Sequence, residues 1–292
     1  MEPAHVVRGS EHLFVWKSDL RSRRLIVNAD DFGRSSEINE AVVRAHTEGI
    51  LTTTSLMVSA PRWEHAVDLA RKHPKLGVGL HLVLLAGRSA LKPTEIPDLV
   101  DDHYHFPDSP LWVGLRYFFL PSLRDQLRRE VSAQLQKFQA TGLTLDHLNG
   151  HLNIHLHPTI LNLCTRAVHR FDVRHIRLTR DPLLLNIRIT GGHWMYRLSH
   201  ALIFNALCFS ARGKLRKAQV RSADRVFGLL QNAKVDERYV CRLLERLPAG
   251  DSELYSHPSM NGFRHELEAL ISPHVREIIT RRQIQLIRCQ DT

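Results

Sequence analysis

The chain has little cysteine: Cys164, Cys208, Cys241 and Cys289 are its four cysteines among 292 residues. None falls in a C-x-x-C pair, which excludes a cysteine-built zinc module and argues against a disulfide framework, so a reducing compartment is expected. Long apolar runs are missing too. The longest, Leu198 to Phe209, is interrupted by Ser199, His200 and Asn205 and is too short to span a bilayer. The first residues, MEPAHVVRGSEHLFVWKSDLRSRR, carry no apolar core of a secretory leader. A soluble, cytoplasmic protein is the expectation, with association at the inner face of a membrane as its extension. No repeat or low-complexity tract breaks the chain. Hydrophobic residues at 43% and charged residues at 24% are ordinary globular usage.

Acid is in deficit. Forty Lys and Arg against thirty Asp and Glu leave a net charge of +10. A basic surface favours anionic partners: nucleic acid, an acidic membrane leaflet or a phosphorylated substrate. No zinc finger, basic zipper or basic-aromatic RNA surface accompanies the charge, so nucleic acid is not expected. A solvated basic surface is the plainer reading.

What is present is an alternation of strand and helix. Leu25 to Ala29 is a short apolar run suited to a buried strand. Ser35-Ser36-Glu37 then offers a hydroxyl cap and a first-turn acid for a helix with Ile38, Ala41, Val42 and Ala45 on one face, closed near Gly49. The pattern predicts further strands at 53–58, 77–84, 143–148, 175–178, 226–227, 253–256 and 284–287. Helices are predicted at 63–73, 127–138, 158–168 and 235–247. Seven or eight strands alternating with helices imply a mostly parallel sheet in an α/β fold. A TIM-like barrel is favoured over an open sheet because polar motifs follow several different strands. We expect one domain over residues 25–292, preceded by an extension over residues 1–24.

Those polar motifs are the chemistry. Asn28-Ala29-Asp30-Asp31-Phe32-Gly33 puts two adjacent carboxylates at the end of the first strand, more than a helix cap requires. His81 interrupts the apolar strand Gly79-Leu80-His81-Leu82-Val83. Between Asp146 and Pro158 stand four histidines, His147, His151, His155 and His157. Neutral imidazole is a common ligand of borderline metals, and not all four can bind one ion. His257 follows a late strand, in Glu253-Leu254-Tyr255-Ser256-His257-Pro258. One aspartate and two histidines make an open divalent site, and the remaining acid and histidine can serve as base and acid. That combination points to hydrolysis. A divalent-metal phosphoesterase and a non-catalytic binding protein on the same fold are the competing readings.

The stretches IVNADDFG, GLHLVL, DHLNGHLNIH and ELYSHP, in that order, resemble the YdjC-like (ChbG-type) carbohydrate deacetylases over roughly Leu25 to Met260. HLNGHLNIHLHP and ELYSHP are most similar to the hopanoid-biosynthesis-associated branch. Many relatives read H-x-D-S-H-H-H-x-H where this chain has Asn149 and Asn153, which leaves His151 in place. The resemblance implies a distorted (β/α) barrel holding Mg²⁺ or Zn²⁺. It implies Asp31, His81 and His151 as metal ligands, Asp30 as general base and His257 as acid; Asp30 and Asp31 can exchange roles. Arg180 matches an arginine that contacts substrate or orients the base. The implied substrate is an N-acetylglucosaminyl sugar, carried on a glycosylated hopanoid lipid in that branch. Leu111 to Leu120 and His193 to Arg212 are rich in apolar and aromatic residues. They are expected to pack as core and as a helix between units, with docking on an anionic membrane as the alternative. A homodimer is admitted as a further partnership.

Overall fold

A computed structural model describes residues 22–292. Seven strands form one parallel sheet: β1 (Arg23–Phe32), β2 (Thr53–Leu56), β3 (Gly77–Leu82), β4 (Leu145–Gly150), β5 (Arg225–Phe227), β6 (Gly250–Ser256) and β7 (Gln285–Leu286). Their order is β4-β3-β2-β1-β6-β5, with β7 paired to the start of β1. Ten α-helices cover it: α1 (Ser36–Thr47), α2 (Trp63–Lys72), α3 (Pro110–Phe119), α4 (Arg124–Ala140), α5 (Pro158–Phe171), α6 (Leu183–Ile189), α7 (Trp194–Lys217), α8 (Glu237–Glu245), α9 (Arg264–Ile271) and α10 (Pro273–Arg281). Most of the extension expected over residues 1–24 lies outside the described residues.

The sheet curls as expected for a distorted barrel. The strand expected at 175–178 is reduced to isolated bridges, Leu148 to Ile176 and His175 to Arg221. Its backbone changes partner at almost every residue. Leu148 N–H donates to the His175 carbonyl, Ile176 N–H to Arg221, Arg177 N–H back to Leu148, and Val226 N–H to Arg180. No ladder can form, yet these bonds span the gap between β4 and the approach to β5. A half-closed sheet thus gains a seam of irregular backbone.

Local chemistry accounts for the helix boundaries. Ser35 caps α1 by accepting from Ile38 N–H at 3.2 Å, and Asn39, Ala41, Val42 and Ala45 bury its inner face. Gly49 follows because a Cβ there would lie 2.3 Å from the Leu270 carbonyl oxygen, so a larger residue would push α1 off α9. Pro158 starts α5, its missing N–H costing nothing at that position. Apart from the short β7, the strands are buried on both faces along most of their length, so their apolar residues form one core with the helices.

The two aromatic stretches depart from the packing reading. Only Val113 and Tyr117 of α3 are buried, and Leu111, Trp112, Leu115, Phe118 and Phe119 face solvent. On α7, Ala201, Cys208, Ala211 and Leu215 pack inward, while Trp194, Met195, Leu198, Leu202, Ile203 and Phe209 are exposed. Apolar side chains on both faces blur the helical period of α7, the helix expected over His193 to Arg212. No helix of the described residues is long and apolar enough to cross a membrane.

Candidate functional site

The carboxyl ends of the strands converge on one cavity of about 290 Å³, lined among others by Asp30, His81, His151, Tyr255 and His257. β1 delivers its two acids through an irregularity. Its register with β2 shifts between Ala29 and Phe32, and Asp31 takes a left-handed φ of 66°. A non-glycine residue is held there at a cost of order 1–3 kcal/mol, a strain that clusters at functional sites. Leu152 and Asn153, directly after His151, are left-handed as well, with φ of 49° and 59°.

Asp31, His81 and His151 offer ligand atoms that all lie within 4.8 Å of one another. Asp31 Oδ1 is 3.1 Å from His151 Nδ1 and 3.4 Å from His81 Nε2. Arg34 donates to Asp31 Oδ2 at 2.8 Å from the rim. Burial works to raise the Asp31 pKa, but the His151 and His81 imidazoles set against it outweigh burial and hold the acid well below the usual range. One buried carboxylate facing two imidazoles is a donor set that fits a divalent cation with positions left open.

Asp30 is the better-anchored acid. Oδ1 accepts from Asn28 Nδ2 at 2.8 Å, Asn149 Nδ2 at 3.1 Å and Arg177 Nη2 at 3.0 Å; Oδ2 accepts from Arg177 Nη1 at 2.7 Å. Arg177 also donates through Nε to Glu253 at 2.7 Å and lies 4.5 Å from the Tyr255 ring centre. Burial raises the Asp30 pKa, and the Arg177 charge more than reverses that, with His81 adding to it, so Asp30 stays ionised.

His257 lines the same cavity from just beyond β6, its backbone N–H donating to Glu266 at 2.6 Å. The remaining histidines of the cluster have separate places. His147 bonds Asp146 and Ser55, His155 bonds the Arg177 carbonyl, and His157 bonds the Gly114 carbonyl.

Five of the six residues singled out from the sequence therefore share one site: Asp30, Asp31, His81, His151 and His257. Arg180 does not join them; it is exposed and lines a separate cleft with Asn205, Cys208, Phe209 and Arg212. The arginine that meets Asp30 is Arg177, three residues earlier, on the seam where alternate side chains point inward. Sequence reasoning passed over Arg177, Glu253, Asn28 and Ser55. The signal was available in part, because Arg177 stands between the apolar Ile176 and Leu178 as His81 stands between Leu80 and Leu82.

Fold and site together define a TIM-like α/β protein with an Asp-His-His cluster at its strand ends. The family model described as "YdjC-like protein" matches residues 24–281, and the chain belongs to that family. Among curated relatives, the carbohydrate deacetylase of Brevibacillus brevis is 39% identical over 150 residues, covering 51% of this chain and 57% of that protein. The carbohydrate deacetylase of Geobacillus stearothermophilus is 37% identical over 170 residues, covering 57% of this chain and 65% of its own. The chain thus spans less than two thirds of these relatives. Among solved structures, an Enterococcus faecalis V583 protein described as a cellobiose-phosphate cleavage protein superposes with a TM-score of 0.70 at 21% identity, over 92% of this chain and 98% of its own. An uncharacterised Agrobacterium tumefaciens protein gives 0.53 at 12% identity, over 94% and 90% of the two chains. Likeness at such identity speaks for the fold alone.

Proposed function

We propose that this protein is a metal-dependent hydrolase that removes the acetyl group from an N-acetylglucosamine-type sugar carried on a glycosylated hopanoid lipid. The observation that carries the reading is the meeting of Asp31, His81 and His151 within ligand distance beside Asp30 and His257 in one cavity. The relatives named carbohydrate deacetylases support the sugar amide as substrate.

Asp31, His81 and His151 would hold Zn²⁺ or Mg²⁺, which supplies a water of lowered pKa and a Lewis acid for the acyl oxygen. Asp30 takes the water's proton. Its Oδ1 already accepts three hydrogen bonds and Oδ2 only one, so Oδ2 is the oxygen with a free lone pair. Arg177 keeps that carboxylate charged and fixed in direction. His257 protonates the departing nitrogen as the C–N bond breaks, and acetate and the free amine leave.

The lipid part of the proposal rests on the cavity's surroundings. Pro110 of the α3 start and Tyr196, His200 and Phe204 of α7 line the cavity, so the exposed apolar residues of those helices flank its mouth. No acid occurs from Ser109 to Arg124 or from Pro182 to Ala223, while Arg116, Arg188, Arg212, Lys214, Arg216 and Lys217 do. Apolar side chains among bases complement an anionic lipid surface at the inner face of a membrane.

The test is acetate release by chelated protein with and without added Zn²⁺ or Mg²⁺, on chitobiose-type sugars and on an N-acetylglucosaminyl hopanoid. Metal-dependent acetate from the lipid supports the whole proposal. Acetate from the sugars alone discards the lipid. Bound metal with phosphate ester cleavage and no acetate replaces the reading with a phosphoesterase. Asp30→Asn is expected to keep metal and lose turnover, and His151→Ala to lose both.

A further inference from the structure

Behind the site runs a chain of buried hydrogen bonds whose direction is fixed at every link. It begins at Asp146, near the opposite end of the barrel, where Oδ1 accepts from Gln290 N–H at 3.1 Å. Asp146 Oδ2 lies 2.9 Å from His147 Nδ1, so His147 donates there and carries its proton on Nδ1. Its Nε2 is then an acceptor, and Ser55 Oγ donates to it at 2.9 Å in preference to Asn28 Oδ1 at 3.4 Å. With its proton committed, Ser55 Oγ can only accept from the Asn149 amide at 2.8 Å and the Asn28 amide at 3.0 Å. The second hydrogen of the Asn149 amide goes to Asp30. Both acceptors hold the Asn149 NH₂ on one side, which turns its carbonyl oxygen toward His81 Nδ1 at 2.7 Å. All of these side chains are buried. Asp146, His147 and Ser55 have the connectivity of a hydrolase triad, but the Ser55 oxygen is inaccessible and saturated by two amides, so it cannot act as a nucleophile.

We infer that this chain sets the tautomer of His81, making Asp146, His147, Ser55 and Asn149 positioning residues for the site. The neutral His81 ring has one proton and two competing acceptors, Asn149 Oδ1 at Nδ1 and Asp31 Oδ1 at Nε2, the latter at 3.4 Å. As oriented, Asn149 takes the proton at Nδ1 and leaves the Nε2 lone pair facing Asp31 and His151. A reversed amide would send the proton to Nε2 and block the ligand atom. A bond to the distal nitrogen that fixes a ligand histidine is worth 10–100-fold in metal affinity. The inference rests on the metal reading of the Asp31, His81 and His151 cluster for its consequence, but not for its hydrogen-bond geometry.

The experiment uses the full chain labelled with ¹⁵N-histidine. Long-range ¹H–¹⁵N correlation spectra of chelated protein at alkaline pH report each tautomer, and competition against a chromophoric chelator gives Zn²⁺ affinity. The parent should show His81 protonated at Nδ1. Asn149→Leu should move that proton to Nε2 and weaken Zn²⁺ binding about 10–100-fold. Asn149→Asp restores an acceptor and should return the proton to Nδ1, which a merely space-filling role would not require. Ser55→Ala removes one of the two acceptors that hold the Asn149 amide and should admit the second tautomer with weaker Zn²⁺ binding; it carries the test if Asn149→Leu fails to fold. His81 protonated at Nδ1 in both Ser55→Ala and Asn149→Leu, with parental Zn²⁺ affinity, would overturn the inference. Tautomers that shift as expected in a protein that binds no Zn²⁺ would support the chain and overturn the metal reading instead.

Discussion

Replacing Arg177 by methionine removes the one cation that faces both Asp30 and Glu253. The guanidinium is 1% exposed and makes three charge-assisted bonds, at 2.7 and 3.0 Å to Asp30 and 2.7 Å to Glu253. Glu253 Oε2 has no partner of its own, so without Arg177 two carboxylates would share a dry interior uncompensated. Breaking a buried pair from one side costs about 3–5 kcal/mol, because the remaining charge stays buried. For a chain of this size that corresponds to a melting point lower by roughly 5–8 °C. Lysine would not restore it, since an ammonium cannot fork onto Asp30 while reaching Glu253. The sign of the pH effect follows from Asp30. Its folded pKa is depressed by Arg177, so the pair's stability is present above the unfolded value of 3.8 and lost as pH falls below it. Without the cation, burial alone pushes Asp30 upward, and the acid limb of kcat/KM should move to higher pH. Urea unfolding of Asp30→Asn, Arg177→Met and the double variant provides a thermodynamic cycle. The double variant should cost far less than the two singles added together. A single-variant loss under about 1 kcal/mol, with additive singles, would refute the reasoning.

Burial holds His175 neutral, its pKa pushed down to about 3, and neither ring nitrogen has a partner. The unfolded chain binds that proton near pH 6.5 and the folded one does not, so the protein should lose about 1.4 kcal/mol per pH unit below 6.5 through this residue. His175→Leu should lack that share of the slope in urea titrations at pH 7 and 5.5; identical slopes would contradict it. Gly228 has a φ of +121°, and a Cβ there would lie 2.4 Å from the Tyr255 carbonyl oxygen. Gly228→Ala should therefore destabilise by at least about 2 kcal/mol, read by thermal unfolding. Sedimentation with anionic vesicles should recover the parent protein at low salt, and Trp112→Ser with Phe118→Ser should release it. Equal recovery on neutral vesicles, or a stable dimer buried at this face, would argue against an anionic lipid surface.

Much of the fold was legible because its strands are short apolar runs and its first helices carry one clean apolar face. Residues 175–178 were read as a strand because Ile176 and Leu178 are apolar, and no local pattern tells a ladder from a seam whose partners change. Helix α7 was expected over His193 to Arg212 as a helix between units, but being apolar on both sides it gave no clean period to fix its bounds. The site was legible where a polar side chain interrupts an apolar strand, as His81 does, or where acids and histidines exceed what capping needs. Arg180 was singled out and Arg177 passed over because a resemblance fixes a motif and not which of two nearby arginines points inward. Ser55 and Asn28 carry no charge and sit among ordinary strand residues. Their role exists only through partners as many as 94 positions away, a separation no local reading bridges.

Two buried networks meet at Asp30, and their meeting explains how a strained acidic pair can be held so closely. Arg177 answers the charge of Asp30, while the Asn28 and Asn149 amides fix its orientation without adding charge. Asparagine at 149 matters for that reason. An aspartate there could still accept from His81, but it would present a second carboxylate to Asp30 at about 3 Å, and two like charges so close cannot both ionise at neutral pH. One of them would hold a proton, and the free lone pair on Asp30 Oδ2 would no longer be assured. The neutral amide lets this chain keep Asp30 ionised, orient His81 and leave Asp31 alone to face the two imidazoles.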